Sequence, residues 1–154
     1  MKADLGVLLS VQPRFASALL DGSKTVEVRR RRAHIADGAV CLLYASSPTC
    51  ALVGALRVAT TEVGSAETLW SRYGDAMGLA RGEYERYLDG AAQPCAIIVA
   101  ATAAFSQPVR LPELRRRSRA FVAPQSYRFL SQHEAGSLLN GQHRQLAHLA
   151  AAPN

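Results

Sequence analysis

Residues 8–32 read "LLSVQPRFASALLDGSKTVEVRRRR", and this stretch sets how the rest of the chain is read. It opens inside an apolar run, Leu5 to Val11, that predicts a buried strand. Pro13 then suits a first helical turn, where its fixed φ and missing N–H cost nothing. Phe15, Leu19 and Leu20 fall near one face of that helix, and Asp21-Gly22 stops it. The period then changes. Val26 and Val28 point to one side of a strand, while Thr25, Glu27 and Arg29 point to the other. The arginines Arg29, Arg30, Arg31 and Arg32 pose the functional question: a solvated strand end, a phosphate handle, or the rim of a site.

Farther along, residues 36–46 start at an Asp-Gly turn and predict a strand ending at Tyr44 or Ala45. "SSPT" is a loop, and residues 50–58 predict another strand, in which Gly54 marks a bulge or a close backbone approach. Residues 65–74 and 80–90 shift to a helical period. Ser65 with Thr68 offers the first of these a cap, and Tyr84, Tyr87 and Leu88 sit at helical spacing in the second. "PCAIIVAATAAFSQPV" is a long or broken strand, and residues 111–119 form a short basic helix begun by Pro112. Residues 124–139 read as a turn and a helix, and residues 141–154 as a fraying tail. With no internal repeat and no linker, the order predicts one α+β domain over residues 1–154. Its sheet is small and mostly antiparallel or barrel-like, not doubly wound and parallel.

At 154 residues the chain is long enough to bury a core, and its 49% hydrophobic and 19% charged composition is that of a globular protein. The net charge of +6 comes almost wholly from arginine, since Lys2 and Lys24 are the only lysines. Arginine favours bidentate recognition of phosphate or carboxylate, so a polyanionic partner is expected. Cys41, Cys50 and Cys95 show no paired spacing and read as reduced thiols of a cytoplasmic protein. No signal peptide is visible, and the longest apolar run, residues 95–105, is too short for a membrane span.

Most catalytic signatures are missing: there is no phosphate-cradling glycine loop, no Gly-x-Ser-x-Gly elbow and no Cys-x-x-Cys pair. The four histidines never fall at helical ligand spacing, so neither metal nor cofactor is expected. Two arginine clusters stand out, Arg29–Arg32 at a strand end and Arg115, Arg116, Arg117 and Arg119 on a short helix. Each reads either as a solvated face or as a phosphate-contacting surface. The tyrosines are scattered and do not form a stacking platform.

Strand, helix, Gly-containing turn and charged strand, followed by "VCLLYASSP" and "ALVGALRV", together resemble the ASCH domain of the PUA-like superfamily. The specific part is Gly22-x-Lys24-Thr25-x-Glu27-x-Arg29. "LW", "YERYLDG", "PVRLPELR" and "PQSYRFL" also look like a longer bacterial branch, often described as transcription regulators or RNA-binding proteins. The resemblance implies a small PUA-like β-barrel with flanking helices and a cleft beside the first helix, lined by the Lys24–Arg29 segment. It implies nucleic-acid binding, RNA rather than DNA, or recognition of a modified nucleotide, with a regulatory role.

An enzyme is the alternative. One branch, acetylcytidine amidohydrolase, places a lysine in the Gly-x-Lys position, a threonine three residues later and a glutamate on a later helix. Lys24 matches the first, but Glu27 stands at the threonine position, and the later acid falls near Met77 with Asp75 as the nearest carboxylate. Other ASCH proteins are linked to RNA cleavage, so a small hydrolase or ribonuclease using Lys24 and Glu27 stays open.

Within the expected cleft, Glu27 and Arg29 share a strand face and Lys24 precedes them in a turn. Such a carboxylate accepts hydrogen bonds from a base, or else forms a partly exposed ion pair at a barrel rim. Tyr44, Ser46 and Ser47 end a strand nearby, and the serines serve a ligand or only the turn around Pro48. Gln125 and Ser126 join the expected nucleic-acid contacts or cap the final helix.

Overall fold

The computed structural model describes residues 6–139 together with Gln142, Leu146 and Leu149. Among the described residues the chain runs β1 (Val7–Val11), α1 (Pro13–Asp21), β2 (Val26–Arg29), β3 (Val40–Ala45), β4 (Ala51–Val63) and α2 (Ala66–Tyr73). It continues through a 3-10 turn (Gly74–Ala76), α3 (Arg81–Leu88), β5 (Cys95–Arg110), α4 (Leu111–Arg117), β6 (Tyr127–Phe129) and α5 (Gln132–Leu139). This is the expected α+β class. The local signals act as read: Gly22 adopts φ 84° and turns its N–H back to Leu19, ending α1. Ser65 Oγ accepts the Thr68 N–H at 3.0 Å and opens α2.

The strands form one sheet in the order β2-β5-β4-β3-β1-β6. Only β1 and β3 run parallel; every other neighbouring pair is antiparallel. A parallel pair needs a crossover, and α1, β2 and the loop after β2 supply it by travelling to the far edge and back. The sheet curls into a half-barrel whose two edges are β2 and β6.

Alternation along the strands fills three cores. Inward residues such as Leu9, Cys41, Leu43, Leu56 and Ile97 pack with Ala16 and Leu19 of α1. Outward residues Leu8, Leu42, Tyr44 and Leu52 pack under Leu114 of α4 and Leu138 of α5. Val26 and Val28 of β2 meet Leu69 of α2 and Tyr84 of α3. Each fully buried leucine contributes about 1.5–3 kcal/mol, so α1 is anchored chiefly by Leu19.

Two elements differ from expectation. β4 runs on to Val63, beyond the expected 58, because β5 pairs with it as far as Cys95. Residues 127–129, read as a turn, form β6, a strand of three residues too short to show a period, and α5 begins only at Gln132. The expected bulge at Gly54 is present, with a register shift between Leu52 and Gly54. Of the expected tail, Leu146 and Leu149 are buried in the outer core, and Gln142 is also described. The rest of residues 141–154 lies outside the described residues. Cys41 and Cys95 are buried, Cys50 is half-buried, and all three are free thiols. No helix among the described residues is long and apolar enough to cross a membrane.

Candidate functional site

A cleft of about 480 Å³ opens at the end of the half-barrel where β1 leads into α1. Glu27 and Arg29 lie on its floor, because the β2 register sets them opposite Ile97 and Cys95 on the inward face. Val26 and Val28 point away into the helix-covered core, as their alternation predicts.

Lys24 is shut behind this floor and is only 1% exposed. Its Nζ donates to the main-chain oxygen of Met77, lies 3.8 Å from Glu27 Oε1 and sits 4.9 Å from the centre of the Phe15 ring. Burial lowers its pKa, and the Glu27 carboxylate offsets part of that effect. Arg29 Nη2 donates to the Ser10 carbonyl at 2.9 Å, and Nη1 to Ser126 Oγ at 3.3 Å. Its Nε is buried without a hydrogen-bond partner among the described residues.

Glu27 therefore stands between two buried cations without being saturated by them. The Val28 N–H donates to Oε1 at 3.0 Å. Arg29 Nη2 lies 3.9 Å from Oε2, outside hydrogen-bond range, so Oε2 accepts from none of the described residues. A carboxylate has about four acceptor sites, and this one keeps capacity toward the cleft. At 6% exposure Glu27 is not the partly exposed rim pair weighed from the sequence; the pair is interior.

The expected contact residues separate by position. Glu27, Arg29, Ser46 and Gln125 line the cleft, and Ser126 adjoins it through Arg29. Neither Gln125 nor Ser126 caps the last helix; Ser131 does, accepting the Glu134 N–H at 3.0 Å. Thr25 is exposed, its main chain bonded to Ala76 and Val99. Ser47 is exposed at a cis Ser47–Pro48 bond, outside the cleft lining. Arg30 donates to the Tyr87 carbonyl, while Arg31 and Arg32 are exposed.

Tyr44 faces the opposite, outer core. Its ring centroid is 6.0 Å from that of Phe121, and burial with a Cys50 hydrogen bond pushes its hydroxyl pKa up to about 12. The second arginine cluster is more compensated than its composition suggests. Glu113 pairs with both Arg116 and Arg117, and Arg117 also donates to the Leu138 carbonyl at 2.8 Å. Arg115 stays exposed beside Tyr44. At the acid position of the amidohydrolase branch, Met77 offers only its main-chain oxygen, and Asp75 is exposed.

Several lining residues were missed in the sequence: Gln12, Arg14 and Phe15 of the α1 entry, Leu79, and Glu83 and Tyr87 of α3. Arg14 and Glu83 form an ion pair across the mouth, and the Arg14 guanidinium stacks 4.3 Å from the Phe15 ring centre. Tyr87, at helical spacing with Tyr84, is 40% exposed, whereas Tyr84 is buried with its hydroxyl on the Ala66 carbonyl. Pro13 beside Arg14 marks the site's helix entry, but nothing local ties it to Glu83.

A family model of the ASCH domain matches residues 9–107. The chain belongs to the ASCH domain family. An "ASCH domain-containing ribonuclease" of Zymomonas mobilis is 32% identical over 133 residues, covering 86% of this chain and 89% of that protein. The crystal structure of ASCH from Zymomonas mobilis superposes with a TM-score of 0.81, covering 86% of this chain and 92% of that one. The N-terminal domain of Staphylothermus marinus McrB shares the fold alone, at 10% identity and a TM-score of 0.55 over 90% of this chain and 97% of that one. The six-stranded half-barrel with its helices is thus an ASCH, PUA-like α+β fold.

Proposed function

We propose that this ASCH protein binds single-stranded RNA with one nucleotide in the cleft and cleaves it there. The observation that carries this reading is the unsaturated Glu27 carboxylate on the floor of a nucleoside-sized cleft, with Arg14 at its mouth. Similarity to a ribonuclease over most of both chains supports it. Glu27 takes the proton of the ribose 2′-hydroxyl as that oxygen bonds to phosphorus. The bond from phosphorus to the 5′-oxygen breaks, leaving a 2′,3′-cyclic phosphate and a 5′-hydroxyl protonated from solvent at the open mouth. Arg14 neutralises the phosphoryl oxygens as charge develops. Lys24, committed to Met77, positions Glu27 and does not touch RNA.

Binding without cleavage, with a regulatory role, is the second reading. It is favoured by the commitment of both cations beside Glu27 to protein oxygens, which keeps Lys24 and Arg29 from donating to a leaving group. One gel separates the two: labelled RNA and DNA of the same sequence, scored for retention and for cleavage. Cleavage of RNA alone, ending in cyclic phosphate and lost in Glu27→Asp while retention persists, is the expected result. Retention without cleavage leaves the binding reading. DNA cut as readily as RNA removes the 2′-hydroxyl mechanism.

A further inference from the structure

The half-barrel has a seam. After β2 the chain runs without regular structure from Arg30 to Ala39, and among the described strands β2 and β6 are the two edges of the sheet. Ala33 and Ile35 turn inward and fill the barrel core, leaving Arg31, Arg32 and His34 outside. The His34 N–H donates to the Tyr127 hydroxyl at 3.1 Å, which ties this segment to β6. Tyr127 and Phe129 occupy the same face of β6, opposite Leu9 and Val7, with rings 5.9 Å apart and nearly perpendicular. Tyr127 packs against the inner core, but Phe129 is 62% exposed.

Phe129 therefore buries little of its ring, and an exposed aromatic next to Tyr127, whose hydroxyl meets the Arg31–His34 segment, suits a base better than a core. Arg31 and Arg32 have no acidic partner among the described residues, whereas Arg14, Arg116, Arg117 and Arg128 are each held by a glutamate. The seam also begins at the cleft: Gln125 lines it, and Ser126, the residue before β6, holds Arg29. From Ser126 to Phe129 the strand covers about 10 Å.

We infer that the seam is a second RNA subsite, in which the nucleotide next to the one in the cleft stacks on Phe129 and its phosphate is held by Arg31 and Arg32. This rests on the cleft reading, which supplies the RNA and its starting point. Charge complementarity and continuity with the cleft select a polyanionic strand over an apolar partner. Because β6 is an edge strand among the described residues, pairing with a second copy of this chain is the competing occupant.

The test is a titration of wild type, Phe129→Ser and Arg31→Gln/Arg32→Gln with uncleavable 2′-O-methyl RNAs, from a mononucleotide to a hexanucleotide. Thermal melts and gel filtration accompany it. Wild type should gain about tenfold in affinity once a second nucleotide is present. Phe129→Ser should lose that gain while binding the mononucleotide unchanged. The double arginine variant should flatten the salt dependence by about 0.7 for each phosphate it no longer neutralises. A length gain that persists in both variants overturns the subsite. So does a dimer that Phe129→Ser splits while RNA affinity holds. Mononucleotide binding without any length gain sinks the seam and leaves the cleft standing; no binding by wild type removes both.

Discussion

Arg29 on β2 reaches across the open side of the half-barrel and donates to the carbonyl of Ser10 on β1 at 2.9 Å. No backbone ladder joins these strands, so one guanidinium, with its second bond to Ser126, spans what the sheet leaves open. The same side chain forms part of the cleft floor. Arg29 therefore serves barrel closure and site geometry at once.

Removing that span should cost stability and binding together. Arg29→Ala strips Ser10 and Ser126 of a donor and leaves Glu27 facing Lys24 alone, a loss of about 3–5 kcal/mol for a broken buried pair. Arg29→Lys should rescue little, because an ammonium does not reproduce the planar fork that serves two oxygens. Urea unfolding of the three proteins checks this. A lysine variant as stable as wild type would show that charge, not the fork, matters.

Lys24 makes stability pH-dependent in an unusual direction. Its folded pKa lies below the ordinary 10.5 because burial disfavours the ammonium. Between the folded pKa and 10.5 the unfolded chain holds more protons, so stability rises with pH across that window. Below the folded pKa the penalty is constant. Urea midpoints of wild type and Lys24→Met at about pH 7, 9 and 10.5 should show wild type gaining on the variant as pH rises. A gap that stays constant or moves the other way would contradict the burial of the charged form.

The Arg14–Glu83 pair should compete with a ligand phosphate. With the Arg14 side chain 55% and Glu83 33% exposed, the pair is worth no more than about 1 kcal/mol to the fold. Glu83→Gln frees Arg14 and should tighten nucleotide binding severalfold with an unchanged melting temperature. Arg14→Ala should weaken it and lower the salt slope by about 0.7. Calorimetric titration of both variants at two salt concentrations decides, and equal affinities would place Arg14 outside the phosphate path.

Gly54 tests the packing that carries the site. A Cβ there would stand 2.5 Å from the Ala103 carbonyl oxygen and 2.8 Å from Leu20 Cδ2. Because one of these neighbours is main chain inside the β4–β5 pair, it cannot swing aside. Gly54→Ala should lower stability by about 1–3 kcal/mol, read from denaturant midpoints. Since Leu20 belongs to α1, nucleotide affinity should fall as well.

Within a few residues, the sequence is decisive about this protein. Alternation placed Val26 and Val28 on one face and Glu27 with Arg29 on the other, and Pro13, Gly22 and Ser65 bounded helices as their backbone chemistry requires. These follow from φ/ψ preferences and side-chain period, which need no distant partner. The tertiary structure alone decided that Lys24 is sealed behind Glu27, that Tyr44 faces the opposite core, and that Arg14 meets Glu83, 69 residues away. β6 became a strand only because β1 offered it an edge. Such choices depend on sheet order and curl, which bring together segments whose local sequences carry no trace of one another.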